Sequence, residues 1–171
     1  MDAPTERLCL HVPETEELWF RQEMMADPAT MSYNAPWSPP DGCIAFPPPE
    51  WKTYRGKWVG RQPERWYAYL RRRSDDAFVG EVNTHQAPEG DRWNMGVLIH
   101  ARYRGLGYGA EGLHLLLEHA FLTDGVPCLQ NEFEIVRAAA YRIHCAAGFR
   151  EDGVRDGIVR LLLTREEYLK R

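Results

Sequence analysis

The segment Ile99-His100-Ala101-Arg102-Tyr103-Arg104-Gly105-Leu106-Gly107-Tyr108-Gly109-Ala110 carries the strongest chemical signal in the chain. Three glycines in five positions (105, 107 and 109) leave the backbone bare, so several N–H groups can converge on one anion. A helix that begins here adds the positive end of its dipole, and Arg104 adds a formal charge. Together these make a pyrophosphate cradle. A second signal is Glu81, which interrupts the apolar run Phe78-Val79-Gly80-Glu81-Val82 beside a glycine that lets a ligand or another strand come close. Carboxylates in partly dry clefts titrate nearer neutrality, as a general base requires. An alternating strand equally allows Glu81 to face water. His85 and His100, at adjacent strand ends, are alternative bases because histidine titrates in the useful range.

These residues need elements to hold them. Leu8, Leu10 and Val12 alternate as a short strand, and 14–26 reads as a helix with acidic residues in its first turn. Between Pro28 and Pro49 proline, glycine and aromatic residues crowd together, which excludes a long helix or a central strand. That segment is either a loop packed by its own aromatics or a lid over a site, with Tyr33 and Trp37 as candidate pocket walls. A second short helix covers 50–59. Strands at 65–71, 78–85 and 93–100 follow, joined by Ser74-Asp75-Asp76 and Ala87-Pro88-Glu89-Gly90-Asp91, and such short joints make an antiparallel meander. Ala110, Leu113, Leu117, Ala120 and Phe121 form one helical stripe. A strand at 128–135, a helix at 137–147 closed by Gly148, and a hairpin about Asp156-Gly157 complete the order. The fold class is therefore a mixed α/β sheet.

Composition narrows the function. The chain has 171 residues, a net charge of −4, 44% apolar and 27% charged residues, which fits one domain over 1–171 with an ordinary core. The mild acidity argues against a nucleic-acid partner, and no apolar run is long enough for a membrane span. The first residues lack a secretory pattern, and four scattered cysteines without a CxxC pair read as reduced thiols in the cytoplasm. No metal site is assigned, because His114 and His119 lie on different faces of one helix and HExxH is absent. Arg71-Arg72-Arg73 reads as a solvated sheet edge that discourages further pairing.

Two phosphate fingerprints fail against this frame. Gly109-Ala110-Glu111 offers neither the lysine nor the hydroxyl of an ATP-binding loop. Gly107, Gly109 and Gly112 match G-x-G-x-x-G, with Glu132 or Glu134 placed for a ribose, but a dinucleotide site belongs to a parallel doubly wound sheet.

Arg104-x-x-Gly107-x-Gly109 resembles the Arg/Gln-x-x-Gly-x-Gly/Ala signature of the GNAT superfamily of acyl-CoA N-acyltransferases. Arg137 to Phe149 (RAAAYRIHCAAGF) resembles that family's second cofactor segment, and the order of elements agrees over most of the chain. The loop Met31-Ser32-Tyr33-Asn34 and the closing sequence look more like the branch containing protein N-terminal acetyltransferases. The resemblance implies a bent sheet of about seven strands with about four helices, whose fourth and fifth strands are parallel and splay apart. It implies acetyl-CoA as co-substrate, its pantetheine along Val97, Leu98, Ile99 and His100. Its pyrophosphate would lie at Arg104, Gly105, Leu106, Gly107, Tyr108, Gly109 and Ala110, with Arg137 in the second segment. It also implies acetyl transfer to a small-molecule or peptide amine by direct attack, for which Glu81 is the first candidate base and His85 and His100 are the alternatives.

At the family's tyrosine position, the proton donor to the thiolate, stands His144, and at its asparagine position stands Arg137. His144 or Tyr141 is expected to take the donor's part. The departures keep open a non-catalytic CoA-binding module, and the glycine spacing keeps a dinucleotide-dependent oxidoreductase as the weaker rival. Glu14, Glu16 and Glu17 form an acidic lip that would suit a cationic acceptor, although the helix dipole alone explains them. A homodimer is the generic expectation for such a chain.

Overall fold

A computed structural model describes residues 7–35, 40–59, 64–88 and 90–171. It contains strands β1 (Leu8–His11), β2 (Arg65–Arg72), β3 (Phe78–Gln86), β4 (Trp93–Ile99), β5 (Cys128–Glu134), β6 (Arg150–Arg155) and β7 (Ile158–Thr164). The helices are α1 (Trp19–Ala26), α2 (Pro28–Met31), α3 (Pro48–Tyr54), α4 (Tyr108–Glu118), α5 (Ala138–Ala146) and α6 (Arg165–Leu169). The longer four, α1, α3, α4 and α5, stand where periodicity places them. The two unforeseen ones are single turns, too short to leave a periodic pattern. Asp27 caps α2 by accepting from the Ala29 and Thr30 amides, and Thr164 with Glu167 forms a capping box on α6.

All seven strands form one sheet in the order β1-β2-β3-β4-β5-β7-β6. Strands β1 to β4 are antiparallel neighbours, as expected of a meander. β4 and β5 are parallel and pair through Trp93↔Leu129 and Asn94↔Gln130. Beyond those pairs β4 continues to Ile99 with no strand on that side among the described residues, so the sheet opens as a V. Asp156 (φ 52°) and Gly157 (φ 78°) both adopt left-handed backbone between β6 and β7, the combination of a type I′ hairpin turn.

The alternation in β2 assigns a core to each face. Trp66, Ala68 and Leu70 pack with Leu113, Leu116, Leu117 and Phe121 beneath α4, each buried leucine contributing roughly 1.5–3 kcal/mol. Tyr67 and Tyr69 point the other way, into a cluster with Leu18, Phe20, Met24, Met31 and Phe46 under α1 and α3. Gly112 lets α4 approach β2, since a Cβ there would lie 2.4 Å from Leu70 Cδ1. That packing is what the third glycine of the G-x-G-x-x-G pattern does here.

The arginine run is not on an edge. β1 pairs with residues 69–72 and makes β2 an inner strand, while Arg71 and Arg72 are paired to Asp76 and Asp75 in the following turn. Arg73 Nε donates to the Leu8 carbonyl. A four-residue strand such as β1 suffices to cover this side, and its sequence alone could not show where it docks.

Candidate active site

A cleft of about 760 Å³ lies where β4 and β5 part, bordered by Gly96, Val97, Gly107, Asn131, Arg137 and His144 among others. At one end is the glycine turn. Gly105 (φ 78°) and Gly107 (φ 85°) adopt backbone that side chains resist, and Gly107 is the N-cap of α4. The first intrahelical donor of the turn is Glu111 N, which reaches Gly107 O at 3.3 Å. The amides of Tyr108, Gly109 and Ala110 therefore precede the ladder and have no partner among the described residues, which leaves them open to an anion. Glu111 steadies the turn from behind, accepting from the Leu8 amide at 2.8 Å and from Arg7 Nε at 2.9 Å.

Of the expected turn residues, Gly105, Gly107, Tyr108, Gly109 and Ala110 border the cleft. Leu106 stands outside it, half exposed, with its carbonyl accepting from Arg7 Nη1. Arg104 lies at the cleft, but its guanidinium is occupied. Nε donates to Ile99 O (3.1 Å), Nη1 to Ala29 O (2.8 Å) and Nη2 to Thr30 O (2.7 Å). It clasps α2 to the end of β4 and so sets Tyr33 at the cleft. Arg137, also bordering the cleft, pairs with Glu134 at 3.4 Å and lies over the Tyr33 ring. Tyr33 borders the cleft, while Met31 and Phe46 of the same proline-rich stretch are buried in the core. Trp37 lies outside the described residues.

The sheet register sorts the β4 positions. His100 N donates to Val79 O at 3.0 Å, and the antiparallel ladder then turns the backbone of Leu98 toward β3 as well. Val97 and Ile99 face the open side, where an extended pantetheine chain can pair, although the Ile99 carbonyl already accepts from Arg104. Of the four expected positions, Leu98 and His100 thus turn their amides toward β3, and the His100 carbonyl accepts from Tyr103 N. Gly80 admits β4 rather than a ligand, because a Cβ there would lie 2.3 Å from Leu98 O.

Glu81 is 5% exposed and borders the cleft. Arg21 Nη1 donates to its Oε1 and the Tyr67 hydroxyl to its Oε2. Burial works against the Arg21 charge, yet Glu81 and the Tyr67 and Tyr54 phenols outweigh it and hold the guanidinium protonated. Burial and the Glu81 charge push the Tyr67 phenol up, so it stays a donor. Arg21 was not legible in the sequence. It lies in a helix with no motif, sixty residues from Glu81, and only the packing of α1 on β3 brings them together.

Burial disfavours the charged form of His144, His85 and His100. His144 Nδ1 donates to Ala140 O (2.8 Å), which leaves Nε2 to accept from Asn131 Nδ2 (3.0 Å). Burial lowers the His144 pKa, which works against a charged ring at the cleft. His85 ends a chain of donors. Arg92 Nη1 reaches Gln130 Oε1 (3.4 Å), Gln130 Nε2 reaches Asn94 Oδ1 (2.9 Å) and Asn94 Nδ2 reaches His85 Nε2 (3.3 Å). Burial lowers the His85 pKa, with Arg65 adding to it. His100 Nδ1 accepts from Arg102 N while Nε2 approaches Glu23 Oε1 at 3.3 Å. Tyr141 points to the surface, its hydroxyl 3.2 Å from Glu151 Oε2.

Tyr33 is then a cleft-lining phenol with no hydrogen-bond partner among the described residues. Burial, helped by Glu81, pushes its pKa up and keeps it protonated. Glu132 and Glu134, the ribose candidates of the dinucleotide reading, are paired to Arg160 and Arg137. Among the described residues no helix is long and apolar enough to cross a membrane.

The model of the acetyltransferase (GNAT) domain matches residues 7–150. No curated protein matches the chain. Among solved structures, a GNAT-family acetyltransferase from Bacillus anthracis is similar with a TM-score of 0.74 at 16% identity, over 97% of this chain and 99% of that one. A spermidine N-acetyltransferase from Vibrio cholerae, crystallised with CoA and spermine, is similar with a TM-score of 0.78 at 16% identity, over 95% and 98%. At such identities the likeness is one of fold.

Proposed function

The chain belongs to the GNAT acetyltransferase family and transfers an acetyl group from acetyl-CoA to an amine, and on that premise we propose the roles of its own residues. The free amides of Tyr108, Gly109 and Ala110 bind the pyrophosphate, and Val97 with Ile99 aligns the pantetheine arm. Acetyl-CoA supplies the activated thioester. The amine nitrogen forms a bond to the thioester carbonyl carbon, the C–S bond breaks, and the ammonium proton leaves toward Glu81, directly or through a water. Arg21 and Tyr67 hold that carboxylate in place. His144 orients the Asn131 amide toward the cleft, and Tyr33 returns a proton to the departing thiolate.

The observation that carries this reading is the buried Glu81 carboxylate standing at the same cleft as the glycine turn. The acceptor is a small-molecule or peptide amine, and the spermidine N-acetyltransferase similarity supports a small amine. We place the protein in the cytoplasm, which its four unpaired thiols support, and expect a homodimer.

The test is thermal stability with acetyl-CoA, CoA and NAD as parallel additions, followed by amine-dependent CoA release. A ligand at a hundred times its Kd stabilises by about 2.7 kcal/mol, several degrees for a chain of this size. A shift with acetyl-CoA and CoA but not NAD, with CoA released when amines are added, is the expected result. A shift with NAD alone overturns the reading. Binding without turnover on any amine replaces it with a CoA-binding module.

A further inference from the structure

Arg21 uses one of its five N–H groups on a side-chain partner, Nη1 to Glu81. Its Nε is buried and has no partner, and Nη2 has none among the described residues. Nε and Nη2 share one edge of the guanidinium, the fork that receives a carboxylate through two parallel hydrogen bonds. Three rings hold this plane rigid. Tyr54 lies 4.5 Å from its centre, Phe46 5.5 Å and Tyr67 5.6 Å.

A second cavity, of about 520 Å³, opens on this arginine from the side of α1 and α3. Phe46, Tyr54 and Trp58 give it aromatic walls, and among the described residues Lys57 adds a second cation against one anion, Glu50. Arg21 thus stands between two spaces, touching Glu81 of the acetyl-CoA cleft and bordering the aromatic cavity. Of the acidic lip Glu14, Glu16 and Glu17, Glu14 pairs with Arg55 at 2.8 Å and Glu17 with His11 at 2.7 Å, while Glu16 is exposed.

We propose that the acceptor amine carries a carboxylate, which the Nε/Nη2 edge of Arg21 receives while the amine is presented to Glu81. The inference rests on the reading of Glu81 and the cleft as an acetyl-transfer site. It makes the substrate an amino acid or related amino-carboxylate rather than a polyamine. A desolvated fork that loses its anion leaves buried donors unpaired, so an amine without a carboxylate binds less well.

The experiment is a panel of matched acceptors: glycine, β-alanine, 4-aminobutyrate and phenylalanine, beside methylamine, ethylamine, propylamine and phenylethylamine, with spermidine as the polycation. CoA release gives kcat/KM for each. At least one amino-carboxylate is expected to exceed both its matched amine and spermidine by tenfold or more. Arg21→Lys, which keeps the charge and loses the fork, is expected to reduce that selectivity ratio at least tenfold through KM. Equal or better turnover of the matched amines or of spermidine by the wild-type protein overturns the inference, and that comparison needs no variant. A preference that survives in Arg21→Lys removes Arg21 as its cause. Failure to bind acetyl-CoA, or transfer to none of the amines, overturns the acetyl-transfer reading and this inference with it.

Discussion

Arg21 on α1 donates through Nη1 to Oε1 of Glu81 on β3, while the Tyr67 hydroxyl takes Oε2. The pair links the helix over one face of the sheet to the strand that borders the cleft between β4 and β5. Both partners are largely removed from water, with side-chain exposures of 18% and 6%. Each therefore depends on the other to avoid standing as an uncompensated buried charge.

Replacing Glu81 by Gln tests the carboxylate with little change of shape. We expect kcat to fall about a hundredfold or more, the usual range for loss of a general base, while the thermal shift with acetyl-CoA persists. The same substitution leaves Arg21 facing a neutral amide, so unfolding should come at a lower temperature. Wild-type turnover in this variant would remove Glu81 from the chemistry.

Gly107 and Gly109 should separate backbone strain from mere absence of a side chain. Gly107 has φ 85°, and a branched residue there costs roughly 1–3 kcal/mol and distorts the first turn of α4. Gly107→Val should lose both stability and acetyl-CoA binding. At Gly109 the backbone is ordinary, and an added Cβ would meet Ile143 Cδ1 at 3.6 Å, normal contact. Gly109→Ala should keep acetyl-CoA binding and raise the melting temperature slightly, since alanine favours the helix by about 1 kcal/mol. Calorimetric titration of acetyl-CoA into both variants is the check.

Gly112→Ala makes the opposite point about the same helix. Helix propensity favours alanine by about 1 kcal/mol, but the new methyl would sit 2.4 Å from Leu70 Cδ1 in a closed core. Overpacking of this kind costs about 1–3 kcal/mol, so net destabilisation is expected in a denaturant titration. A stabilised variant would show that β2 and α4 move apart freely.

The buried histidines set an acid limit on the fold. Burial lowers the pKa of His144, His85 and His100 below the ordinary value of 6.5. Below that value the unfolded chain binds more protons than the folded one, so stability rises with pH there. The contribution is fully present above about pH 6.5 and is lost as pH falls toward the depressed folded values. Melting temperatures should therefore drop between pH 7 and 5. His144→Gln keeps an oxygen to accept from Asn131 and removes one titrating ring, so it should make the drop shallower. An unchanged slope would show that His144 does not contribute.

Much of this molecule is written locally. The glycine spacing around 105–109, the two-residue alternation of 65–71 and the Asp156-Gly157 turn each follow from short-range sterics, and each appears where the spacing puts it. The parallel, splayed β4 and β5 also follow from the family resemblance. What a string of letters could not supply is which polar groups are already engaged. Arg104 reads as an anion ligand, but tertiary contacts commit it to three backbone carbonyls. His144 reads as a proton donor, but the Ala140 carbonyl and Asn131 amide decide its tautomer. Glu81 is noticeable by its apolar neighbours, whereas Arg21 acquires meaning only when α1 closes over the sheet. Local sequence determines backbone geometry because sterics act between neighbours. The assignment of protons and partners belongs to groups far apart in the chain, and only the fold brings those within reach of one another.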